Sequence, residues 1–134
     1  MPGKNERSRS LRSTTGFETF VLDQLDSLGD VVSKKMFGGI GLYSGGVFFG
    51  IIARDELYFK VDGDTRPEYE AAGMHAFEPY PGRPITMQYF CVPVGVLESP
   101  VELTAWARKA VAAAGRRAAG SRSRRRSQRS AEDE

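Results

Sequence analysis

The chain has 134 residues, 40% apolar and 27% charged, with a formal net charge of +2, one cysteine and one histidine. It is the size of a single domain with near-ordinary globular composition, which excludes a fully disordered or collagen-like chain. The longest apolar run, Val47 to Ala53, falls far short of the roughly 20 residues a spanning helix needs, so no membrane partner is expected. A lone Cys91 excludes an intrachain disulfide, and with His75 alone beside it no Cys/His zinc site is expected, nor any other cofactor. A reducing, cytoplasmic setting fits such cysteine usage.

In chain order, Thr15-Gly-Phe-Glu18 has capping-box spacing, and Phe17, Phe20, Val21, Leu25 and Leu28 share one helical face, which predicts a first helix to about Leu28 with Gly29 as its left-handed cap. Val31 to Met36 leans towards strand. Gly39 to Tyr43, Val47 to Ala53 and Glu56 to Val61 then read as a meander of three strands, joined by Ser44-Gly45-Gly46 and Arg54-Asp55. Thr65-Arg-Pro-Glu68 repeats the capping spacing and predicts a short second helix closed by Gly73. His75 to Tyr80 and Ile85 to Val92 predict a second hairpin around the turn Pro81-Gly82-Arg83-Pro84. Ser99-Pro100-Val-Glu102 opens a last helix, with Leu103, Trp106, Ala107, Ala110, Val111 and Ala114 as its apolar stripe and Trp106 as its expected core anchor. Strands in hairpins, not alternating singly with helices, predict an α+β two-layer domain of antiparallel hairpins packed against helices.

Charge is segregated along the chain. Residues 1–13 hold four basic side chains against one acidic, and residues 115–134 hold seven arginines against three acidic groups. The segment between them therefore carries eight basic and thirteen acidic residues, a net charge of −5. We expect a folded domain over residues 14–114 between a disordered basic tail, 1–13, and a disordered Arg/Ser-rich tail, 115–134, since GSRSRRRSQRS offers no apolar surface to offset ordering entropy.

Three kinds of site are candidates. Gly38-Gly39-Ile40-Gly41 is glycine-rich, yet a strand follows it where a phosphate-cradling loop needs a helix N-terminus, so a bulge or bend is expected there. Asp55, Asp62, Asp64 and Glu68 cluster at predicted turns and a helix start, where solvated caps account for them, and Cys91 alternates within a strand as a small core side chain. No catalytic residue and no enzymatic activity are expected. Lys34, Lys35, Lys60 and Arg83 are a candidate anion- or partner-binding face of the sheet. Arg116, Arg117, Arg122, Arg124, Arg125, Arg126 and Arg129 form a polycation without aromatic residues, a candidate for non-specific nucleic-acid contact through counterion release.

Three stretches, Lys35-Met36-Phe37-Gly38-Gly39-Ile40-Gly41-Leu42, Leu57-Tyr58-Phe59-Lys60-Val61 and Met87-Gln88-Tyr89-Phe90-Cys91-Val92-Pro93, together resemble the N-terminal domain of the TfoX/Sxy family. The resemblance spans roughly residues 14–114, including Trp106-Ala107. It implies an α-β(3)-α-β(2)-α domain similar to secretion-chaperone-like folds, an association with regulation of natural competence, and no catalytic residues. Two-domain members carry a C-terminal domain of helix-hairpin-helix type where this chain has its Arg/Ser tail. The function expected from the resemblance is a non-enzymatic regulatory or protein-interaction module, linked to transcription, whose partner is a protein of unknown identity.

Overall fold

A computed structural model of the chain describes residues 12–36, 38–78 and 88–115. The arginines beyond Gly115, residues 1–11, Phe37 and the turn that holds Arg83 lie outside the described residues.

Thr14 is extended (φ −72°, ψ 149°) and caps helix α1 (Thr15–Gln24), its hydroxyl accepting the Phe17 N–H at 3.1 Å. The cap sits one residue earlier than the Thr15–Glu18 spacing predicts, and the Glu18 carboxylate takes no part in it: its Oε2 accepts the Ser33 hydroxyl at 3.0 Å. The helix tightens into a 3₁₀ turn, Asp26–Leu28, and stops at Gly29, whose φ of 79° lies in the left-handed region.

Five strands follow: β1 (Val31–Met36), β2 (Gly39–Ser44), β3 (Val47–Ala53), β4 (Glu56–Lys60) and β5 (Tyr89–Cys91), antiparallel throughout and in spatial order β1-β2-β3-β4-β5. The α+β class is as expected, and Val31–Met36 is a full strand, paired to β2 along its whole length, where the sequence showed only a strand tendency. Of the expected second hairpin, residues 79–87 lie outside the described residues; among those described, β5 is three residues long and is joined on its outer side by an antiparallel bridge between Ala76 and Phe90. The Phe77 N–H to Tyr89 O bond (2.8 Å) and the Cys91 N–H to His75 O bond (2.9 Å) flank that bridge.

Directly paired residues share a sheet face, so register sorts every side chain. Ile40, Leu42, Ile52, Leu57, Phe59 and Phe90 point to one side, where they form a single core with Val21 and Leu25 of α1. A bulge shapes this layer. Leu42 pairs with Gly50 and Tyr43 with Phe48, which leaves Phe49 as the extra residue, fully buried with its ring 5.7 Å from that of Phe59. Gly50 makes that packing feasible, because a Cβ there would lie 3.1 Å from the Tyr58 carbonyl oxygen and 3.3 Å from the Phe59 ring.

Helix α2 (Arg66–Ala71) starts without the side-chain cap expected of Thr65. Asp62 instead shapes the turn before it: its Oδ1 accepts from the Asp64 and Thr65 N–H groups at 3.0 and 2.9 Å, the Thr65 hydroxyl accepts the Asp62 N–H, and the helical Arg66 and Glu68 N–H groups go to the Asp62 and Thr65 carbonyls. A one-turn helix α3 (Val94–Leu97), unforeseen in the sequence, follows Pro93. Ser99 caps helix α4, residues 100–115, as predicted, its Oγ accepting the Glu102 N–H at 3.3 Å. Leu103, Ala107, Ala110 and Ala113 are buried. Trp106 is only half-buried and packs edge-on against Tyr69 of α2 at 4.7 Å, so the small alanines, not the indole, bring α4 close to the sheet.

Candidate functional site on the sheet face opposite the helices

The same register gives the other face to Lys34 and Val32 of β1, Gly41 and Tyr43 of β2, Phe48 and Ile51 of β3, Glu56, Tyr58 and Lys60 of β4, and Tyr89 and Cys91 of β5. The expected lysine face is corrected here. Lys34 pairs with Gly41 and Lys35 with Ile40, so the two neighbours point to opposite sides, as successive strand residues must. Lys35 lines a separate cavity of about 480 Å³ beside the start of α1, with Arg12, Glu18 and Gly39. Lys34 and Lys60 stay on the opposite face. Of the other motif residues, Gly38 takes a φ of 86° at the β1–β2 turn, the bend expected in place of a phosphate loop, and Phe59 is core.

Aromatic rings link the two remaining lysines. The Lys34 ammonium lies 5.0 Å from the Tyr43 centroid; Tyr43 and Phe48 are 5.2 Å apart, Phe48 and Tyr89 5.5 Å, and the Lys60 ammonium lies 5.4 Å from the Tyr89 centroid. Tyr43, Phe48 and Tyr89 are each half-buried. Gly41 leaves room for the row, since a Cβ there would run into Met36 and the Phe48 ring. Burial, with a smaller contribution from Tyr43, pushes the Tyr89 phenol up to about 12. Lys60 is nearly buried and donates to Gln88 Oε1.

At the far end of the same face, β4 and the bridge beside β5 bring together residues far apart in sequence. Tyr58 pairs directly with Cys91, and its hydroxyl is 2.9 Å from Glu56 Oε1 and 3.3 Å from His75 Nε2. The Cys91 thiol donates to Glu56 Oε2 at 3.7 Å, and His75 Nε2 is 3.8 Å from Glu56 Oε1. Burial first, then the Glu56 charge, pushes the Cys91 thiol up to about 12; the same two causes raise Tyr58. A thiol held protonated in this way is a poor nucleophile at neutral pH. The sequence offered Cys91 and His75 only as isolated residues. The bridge beside β5 joins His75 to Cys91, and the β4–β5 pairing brings in Glu56 and Tyr58, which strand alternation puts on one side.

An antiparallel sheet with helices on one face and an aromatic, lysine-flanked surface on the other defines a small α+β module. The family model of the TfoX N-terminal domain matches residues 23–114, and the chain belongs to that family. The match begins inside α1 and ends within α4. No curated protein matched the chain. Among the described residues no helix is long and apolar enough to cross a membrane.

Proposed function

We propose that the chain is a non-enzymatic regulatory module of the cytoplasm that acts by binding a partner protein, linked to transcription as its family suggests, through the sheet face opposite the helices. One observation carries this reading: the row Tyr43–Phe48–Tyr89, half-buried and flanked by Lys34 and Lys60. Rigid aromatic side chains dominate the energetics of protein interfaces, and a cation beside them selects a carboxylate partner. The fitting occupant is a protein segment that presents an apolar side chain next to acidic residues.

The test is affinity capture from native lysate with the full chain, its Tyr43→Ala and Lys34→Glu variants, and a chain lacking residues 116–134. A protein partner held by the full and shortened chains, and lost from both variants, is the expected result. Loss only on removing the arginine tail would move the function to nucleic-acid contact through that tail, and binding indifferent to all three changes would refute the proposed face.

A further inference from the structure

We propose that Glu56, His75 and Cys91 form a binding site for a transition-metal cation of the zinc class, with three protein ligands and one open position. The proposal uses the far end of the sheet face, not the aromatic row, and does not depend on the partner-binding reading. Its basis is geometric. One ligand atom from each of the three residues can be chosen so that all lie within 4.8 Å of one another. Bonds of about 2.0–2.3 Å to a tetrahedral ion set neighbouring ligand atoms about 3.3–3.8 Å apart. Cys91 Sγ is 3.7 Å from one Glu56 oxygen, Oε2, and His75 Nε2 is 3.8 Å from the other, Oε1, so the carboxylate lies between the two remaining ligands and a small side-chain adjustment brings one of its oxygens to that spacing from both.

The donor set then narrows the ion. A sulfur, an imidazole nitrogen and a carboxylate oxygen together disfavour magnesium and calcium, which take all-oxygen shells, and suit zinc or cobalt(II). The elements hold the ligands without rearrangement of the backbone: Glu56 opens β4, Cys91 lies in β5, and the backbone bond from Cys91 N–H to His75 O fixes the third segment beside it. The His75 side chain is 57% exposed; its Nε2, now 3.3 Å from the Tyr58 hydroxyl, would exchange that contact for the ion, with the ring proton on Nδ1. Tyr58 would stay outside the ligand set, its hydroxyl orienting Glu56. Binding forms the sulfur–metal bond and releases the thiol proton to solvent.

The experiment is a titration of the untagged, chelator-stripped full chain with Co²⁺, read by the thiolate-to-cobalt charge-transfer absorbance in the near ultraviolet. We expect a band that saturates at one ion per chain, is displaced by Zn²⁺ and not by Mg²⁺, is absent in Cys91→Ser and weakens at least tenfold in affinity in His75→Gln. His75 is exposed, so that variant keeps its fold, which circular dichroism verifies. Absence of the band in the unaltered chain, or undiminished affinity in His75→Gln, would overturn the proposal.

Discussion

Two non-glycine residues with left-handed backbones, Arg54 (φ 53°) and Asp55 (φ 57°), form the β3–β4 turn. Such a conformation costs about 1–2 kcal/mol per residue, and here it is offset by contacts to the start of α1. Asp55 Oδ1 accepts the Thr14 N–H at 2.7 Å, and the Asp55 N–H donates to Ser13 Oγ at 2.9 Å. Asp55→Ala keeps the strain and loses the carboxylate bonds, so chemical denaturation should show a loss of about 1–2 kcal/mol, whereas Asp55→Gly, which removes the strain as well, should lose less. Equal losses would mean that the turn is unstrained. Cys91 gives a pH signature in the metal-free protein. Its folded value of about 12 stands above the ordinary thiol value of about 8.5, so between those limits the folded chain holds a proton that the unfolded chain has released. Stability must therefore fall as pH rises through that window. With chelator present, urea midpoints of the unaltered chain should drop more steeply from pH 7.5 to 9.5 than those of Cys91→Ala, and parallel declines would contradict the assignment.

The β3 bulge shows how one glycine positions a layer. Gly50→Ala forces a Cβ against the Tyr58 carbonyl oxygen and the buried Phe59 ring, neither of which has room to yield, and should cost about 1–3 kcal/mol. In Gly41→Ala the obstructing atom is the sulfur of Met36, at the movable end of a flexible side chain, so the loss should be smaller in parallel thermal melts. At this scale, local signals were readable and long-range ones were not. Ser99 capped α4 as its spacing predicted because a cap is decided within four residues. Helix α2 starts at Thr65 as its spacing predicts, but the side-chain bond does not form: the Thr65 hydroxyl accepts the Asp62 N–H, and the Glu68 N–H goes to the Thr65 carbonyl. The opposite facing of Lys34 and Lys35 was available from strand periodicity once Val31–Met36 is taken as a strand. The Glu56–His75–Cys91 cluster was not, since it needs both the β4–β5 pairing and the Ala76–Phe90 bridge, whose registers no neighbouring residues announce.

For the whole molecule, the two faces of one sheet divide the labour. Helices α1, α2 and α4 bury one face into the core, and α4 is tied across the layer by Lys109 to Glu68 at 3.0 Å and by Arg108 to the Ser27 carbonyl at 3.3 Å. These surface contacts orient the helices and add little stability. The other face keeps its aromatic row half-buried, and Val32 on the edge strand beside Tyr43 is 51% exposed. The segment 14–114 is net acidic, so an acidic partner must be recognised through the local charge of the exposed Lys34 and against the overall field. That face is the one through which we propose the protein works. Its most direct test is site-specific photocrosslinking, in native lysate, from a benzophenone side chain placed at Val32 on the aromatic face or at Ala105 on the exposed side of α4. The account predicts one discrete protein adduct from position 32, suppressed by Lys34→Glu, and none from position 105; an adduct from position 105 alone, or from position 32 regardless of Lys34, would contradict it.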